Sequence, residues 1–105
     1  MINIFELERE PSHPGEVLLE DFIKPLGISQ TQLAKDLNTT FRTINEIVNL
    51  KRSISNEMAL KLSKYFGNSP EIWIGLQNDY DFYRVLKRKK KNMEKIKPCP
   101  LLNIA

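Results

Sequence analysis

The chain has 105 residues, 41% of them hydrophobic and 28% charged, enough apolar surface for one modest core and too little length for a two-domain enzyme built around a cleft. A single cysteine, Cys99, cannot make an internal disulfide or a metal cage, so a disulfide-stapled secreted miniprotein is excluded and a reducing cytoplasm is the expected setting. The net charge of +3 hides a split: residues 1–83 hold 8 Lys/Arg against 12 Asp/Glu, while residues 84–105 hold 8 against 1.

No apolar run approaches membrane-spanning length, and Glu6, Glu8 and Glu10 stand where a signal peptide would be basic and then greasy. Residues 1–12 read as an N-terminal arm, in which Ile2, Ile4, Phe5 and Leu7 are expected to pack on the domain. The domain itself is expected over 13–92, followed by a tail over 93–105 broken by Pro98 and Pro100. Apolar residues recur at spacings of three and four throughout the middle, which predicts an all-α fold of five helices.

The first helix opens at His13-Pro14-Gly15-Glu16, with proline in the first turn and an acid beside it, and is expected to close at Pro25 and Gly27. Ser29 is placed to cap a second helix, with Gln32 completing a capping box and Leu33, Ala34 and Leu37 as its buried stripe. Asn38-Thr39-Thr40 reads as a turn that also caps a third helix over Phe41 to Asn49, buried through Ile44, Ile47 and Val48. Ser55 caps a fourth, expected to be buried through Met58, Leu60, Leu62 and Phe66 and stopped by Gly67. Ser69-Pro70-Glu71 opens a fifth that runs past Leu86 into the basic block Arg84, Lys87, Arg88, Lys89, Lys90 and Lys91. Its stripe of Trp73, Leu76, Tyr80 and Tyr83, with Ile72, Phe82 and Leu86 beside it, is too wide for a small domain to cover. That girth predicts a dimer interface through Trp73, Leu76, Tyr80 and Tyr83.

The stretch Gln30 to Asn49 carries the functional signal. Two short helices meet at a steep angle only where a small residue lets their backbones approach, and Ala34 occupies that fifth position. Leu33, Leu37, Ile44 and Ile47 then supply apolar contacts at positions four, eight, fifteen and eighteen, the helix-turn-helix pattern. Asn38 holds the ninth position, where glycine is usual, as a residue tolerant of positive φ. Such a unit offers Thr40, Phe41, Arg42, Thr43, Asn45 and Glu46 to a DNA major groove. Arg42 suits guanine, Asn45 adenine, Glu46 a cytosine amino group and Phe41 a thymine methyl. Gln30, Lys51 and Arg52 are expected on phosphates. The same spacing also suits a plain helical hairpin in an all-α core or a protein-interaction module. His13 has no nucleophile at motif spacing and reads as a capping or packing residue. With no acid/base pair, phosphate loop or metal cluster in the sequence, no catalysis, metal or cofactor is expected.

From His13 to about Tyr83 the sequence resembles the HigA-type antitoxins, also known as virulence-associated protein I, a branch of the Xre/Cro repressor-like helix-turn-helix proteins. The resemblance rests on His13-Pro14-Gly15-Glu16, Gly27-Ile28-Ser29-Gln30, Ile44-Asn45-Glu46-Ile47-Val48-Asn49 with Lys51-Arg52, and Ala59-Leu60-Lys61-Leu62 through Tyr65-Phe66-Gly67. Its most distinctive part is Ser69-Pro70-Glu71-Ile72-Trp73 with Leu76-Gln77 and Tyr80-Asp81. It implies a five-helix, lambda-repressor-like DNA-binding antitoxin. Such a protein neutralises a HigB-type, RelE-like mRNA-cleaving toxin and, as a dimer, represses their shared operon from operator DNA. A stand-alone Xre-family regulator without a toxin is the alternative. The chain departs from the family at Leu50, where glycine is common, and in its basic tail.

Overall fold

A computed structural model describes residues 9–102, so the expected packing of Ile2, Ile4, Phe5 and Leu7 lies outside the described residues. Every regular element within that range is helical. Helix α1 combines an α-helical turn at Pro14–Val17, a π-helical stretch at Leu18–Ile23 and a last turn at Lys24–Leu26. It is followed by α2 (Gln30–Asp36), α3 (Phe41–Val48), α4 (Asn56–Phe66), α5 (Pro70–Arg88) and a short α6 (Lys90–Glu94).

The start of α1 is set by His13, whose Nδ1 accepts the Gly15 N–H at 2.8 Å. Its end differs from expectation, because Pro25 lies inside the final turn and Gly27, at φ 66°, stops the helix. A proline cannot donate to the helical ladder and crowds the carbonyl four residues back. The wider π turn immediately before Pro25 gives that ring room.

Three of the expected caps form: Ser29, Thr40 and Ser55 each accept the N–H three residues on, from Gln32, Thr43 and Met58. The Gln32 side chain donates forward to Asp36 at 2.7 Å and so leaves the capping box half made. Ser69 stands at the N-cap of α5 without a side-chain cap bond, and Pro70 sets that start through its fixed φ instead.

The core gathers Leu18 and Ile23 of α1, Leu33 and Ala34 of α2, Ile44, Ile47 and Val48 of α3, Met58, Ala59 and Leu62 of α4, and Trp73 of α5. Leu60, expected inside, is 60% exposed; Ala59 and Ser63 take the buried face of α4 in its place. Trp73 is wholly buried, with its indole N–H donating to Asn68 at 3.0 Å and Phe22 5.4 Å away. It therefore belongs to the protomer's own core rather than to the expected dimer interface. Beyond Gln77, no residue of α5 is fully buried. The outer half of α5 thus runs on past the core. No helix of the described residues is long and apolar enough to cross a membrane.

Candidate nucleic-acid interface

The α2–α3 unit is built by two matching helix ends. After α2, the Asn38 N–H bonds the Lys35 carbonyl and the Thr39 N–H bonds the Ala34 carbonyl, with Asn38 at φ 54°. After α3, the Leu50 N–H bonds the Ile47 carbonyl and the Lys51 N–H bonds the Glu46 carbonyl, with Leu50 at φ 63°. Both are Schellman closures, in which one left-handed residue lets two otherwise orphaned carbonyls find donors. The first turns the chain sharply into α3; the second throws Lys51 and Arg52 outward beside its C-terminus.

Ala34 is buried at the α2–α3 contact, and Ile44 and Ile47 face the core. The opposite side of α3 is thereby left to solvent. Phe41 is 50% exposed, and the Arg42 side chain is 83% exposed. Thr40 is exposed but committed locally, since its hydroxyl caps α3 and lies 2.9 Å from the Thr43 hydroxyl. Thr43, Asn45 and Glu46 are half-buried, as is Gln30 at the head of α2.

Polar contacts fix this surface in advance. The Asn45 amide donates to Gln30 Oε1 at 3.1 Å, so the start of α2 and the middle of α3 present one joint polar edge. Glu46 accepts from Arg52 at 2.6 and 3.0 Å and, more loosely, from Arg42 at 3.4 Å. The Arg52 hydrogen bond, ahead of the weaker one from Arg42, holds the Glu46 carboxyl below the usual glutamate range. Glu46 thus sits between two guanidinium groups rather than standing free for a base. Lys51 and Arg52 are both exposed. All nine residues expected at a DNA surface lie on α2, α3 and the turns that flank α3, with the Arg42 side chain projecting into solvent.

Of the four expected interface residues on α5, Trp73 is in the core and Leu76 packs partly against it. Tyr80 is half-buried beneath His13, whose ring meets it edge-on at 4.8 Å, and Tyr83 is half-buried as well. Exposed apolar surface on α5 is instead carried by Ile72, Phe82 and Val85.

Gln77 is a positioning residue that spacing alone does not reveal. It is 5% exposed; its Oε1 accepts the Ile54 N–H at 2.8 Å and its amide donates to Asp81 at 3.0 Å. The link after α3 is thereby fastened to α5. A glutamine one turn after Trp73 on the same face of α5, and four residues before an aspartate, is the signal that points to it.

Comparison with known proteins gives this geometry its relatives. Residues 19–73 match the helix-turn-helix family model. Virulence-associated protein I of Dichelobacter nodosus is 40% identical over 82% of this chain and 79% of its own length. An addiction module antidote protein of the HigA family from Coxiella burnetii superimposes with a TM-score of 0.81 at 39% identity, covering 87% of this chain and all of the other. The Pseudomonas aeruginosa antitoxin HigA, solved with the higBA promoter, gives 0.80 at 36% identity over 89% of this chain and all of that one.

Proposed function

From a chain that belongs to the helix-turn-helix family and shares its fold with HigA antitoxins, we propose an operator-binding antitoxin that acts in the cytoplasm as the autorepressor of its own operon. It works by binding and carries out no catalysis. Arg42, projecting from α3 beside exposed Phe41 and only loosely tied to Glu46, is the observation that carries this reading. Arg42 and Phe41 read base edges, while Gln30, Asn45, Thr40 and Thr43 frame the edge of the groove. Lys51 and Arg52 hold phosphates beside it, and Glu46 orients the two arginines.

The functional unit is a homodimer. Among the described residues, nothing buries the Phe82 and Val85 side of α5, where both are exposed next to half-buried Tyr83. Of the expected stripe, Tyr83 borders them, whereas Leu76 packs on the core and Tyr80 lies under His13 on the Arg84 side of α5. A two-fold axis then sets recognition helices about one turn of DNA apart, roughly 34 Å. As the resemblance to HigA proteins implies, the second partner is a HigB-type, RelE-like toxin. The proposed organisation is an arm over 1–12, a DNA-binding and dimerising domain over 13–92 and a tail over 93–105.

The test is binding of the full chain to a duplex from its own promoter, set against a random duplex, over a series of salt concentrations. Selective binding that weakens steeply with salt is expected, because phosphate neutralisation releases counterions. Equal, salt-insensitive affinity for both duplexes would reject the reading. Co-expression with the neighbouring toxin gene tests the second partner, with a stable complex as the expected product.

A further inference from the structure

In the cleft between the α3–α4 link and α5, Arg84 adds a charge that the helix-turn-helix unit does not account for to the Lys51 and Arg52 that it does. One wall is Lys51, Arg52 and Ser53; the other is Gln77, Tyr80 and Arg84, around an open volume of about 320 Å³. Arg84 lies seven residues, two helical turns, beyond Gln77, on the same face of α5. The Gln77 bond to Ile54 therefore fixes the distance between the two walls. Three cations face this volume against one carboxylate, Asp81, whose Oδ1 accepts the Gln77 amide. The charge continues outward along α5, where Arg84, Lys87 and Arg88 line an adjoining hollow with Tyr83 and Glu10.

Arg84 is held ready without being neutralised by a buried partner. Its guanidinium carbon lies 5.4 Å from the centre of the Tyr80 ring, and its Nη1 donates to the Tyr80 hydroxyl at 3.1 Å. The same nitrogen meets Glu10, in the segment before α1, at 3.3 Å, in a pair with both side chains about half exposed. A solvent-exposed pair of that length is weak and is readily exchanged for another anion. Tyr80 is in turn braced by His13, so the aromatic support is rigid while the carboxylate is the replaceable member.

We infer that this cleft and the basic end of α5 form a second phosphate track, which takes the operator backbone beyond the C-terminal end of α3, with Glu10 occupying Arg84 until DNA displaces it. The inference rests on the operator-binding reading and assigns a role to the basic end that a helix-turn-helix unit does not require. A nucleic-acid backbone is the occupant that fits, because Arg84 is shared by two adjoining hollows, one bearing Lys51 and Arg52 and the other Lys87 and Arg88, and an extended polyanion can engage both.

The experiment compares wild type with Arg84→Ala, Arg84→Lys, the double variant Lys87→Ala/Arg88→Ala, Glu10→Gln and, as a reference for base reading, Arg42→Ala. Promoter and random duplexes are titrated across salt concentrations. Thermal unfolding and sedimentation of each variant report the fold and the dimer. Arg84→Ala and the double variant are expected to weaken both duplexes alike and to shallow the plot of log affinity against log salt by about one unit for each phosphate no longer held. Arg84→Lys should keep the slope, and Glu10→Gln should tighten binding. Arg42→Ala should instead change the preference between duplexes. Wild-type slopes in both the Arg84→Ala protein and the double variant, with Arg42→Ala still altering preference, would overturn the track and leave the operator reading intact. Equal loss in Arg84→Ala and Arg84→Lys, together with a wild-type slope in the double variant, would assign Arg84 a purely structural role and also overturn it. Absence of salt-sensitive binding by wild type would reject the operator reading itself.

Discussion

Gly15 of α1 lies directly against the backbone carbonyl of Ile47 near the end of α3. A Cβ at position 15 would fall on that oxygen and come within 2.7 Å of its carbon. The obstacle is main chain, which cannot rotate aside, so any side chain must push α1 away from the helix proposed to enter DNA. Gly15→Ala is expected to destabilise the protein by about 1 to 3 kcal/mol, the usual range for overpacking in a close-packed interior. Urea unfolding measures this directly; a midpoint unchanged from wild type would show that the two helices are not in this contact.

Leu50 offers the opposite experiment. It closes α3 at φ 63°, a conformation that places its Cβ against its own backbone, and 47% of its surface is exposed, so little packing is at stake. Leu50→Gly is expected to stabilise the fold by about 0.5 to 1 kcal/mol, the relief of left-handed strain exceeding the entropy that glycine adds to the unfolded chain. At Asn38, which has the same backbone geometry, Asn38→Gly should gain less, because asparagine tolerates that region. Parallel denaturation curves of the two variants decide the order.

These two positions also show how far the sequence is legible. Helix starts at Ser29, Thr40 and Ser55 are readable because one hydroxyl and one N–H three residues on decide them locally. The turn at Asn38 is readable because a single backbone angle decides it. Leu50 stands out in the sequence only as a departure from its relatives, and its left-handed angle becomes visible with the Lys51-to-Glu46 bond. Spacing misplaces Trp73 and Leu60 for one common reason. It gives the face of a helix, but which neighbour covers that face depends on how α4 and α5 cross. Glu46 reads as a free base contact in the sequence because its two guanidinium partners sit four and six residues away, and the second reaches it only after the chain has turned.

Acid should weaken this fold through His13. Its imidazole is buried and uses unprotonated Nδ1 as the acceptor that caps α1. Burial lowers its pKa from the ordinary 6.5, against a smaller opposing pull from Asp81 and Glu16. The unfolded chain therefore takes up a proton more readily than the folded one. The stability contributed by neutral His13 is complete above about pH 6.5 and is lost progressively as pH falls below it. His13→Asn, which keeps a capping oxygen but does not titrate, should flatten the dependence of Tm on pH between about 7 and 5. An equally steep fall in the variant would place the acid sensitivity elsewhere.

Glu46 and Arg42 predict a separation of affinity from specificity. Glu46→Gln removes a negative charge from the surface facing DNA and loosens the carboxylate that holds Arg42 and Arg52. Random duplexes should bind more tightly, because a carboxylate no longer repels the phosphates or competes with them for Arg42 and Arg52. The preference for promoter DNA should fall, because Arg42 is no longer pointed in one direction. Arg42→Ala should cost about 1 to 3 kcal/mol on the promoter and relax the preference at one base position, with little change on random DNA. Competition binding against a set of single-base operator variants distinguishes the two. A Glu46→Gln protein that loses affinity for promoter and random duplex in equal proportion would mean that Glu46 does not act by aiming the arginines.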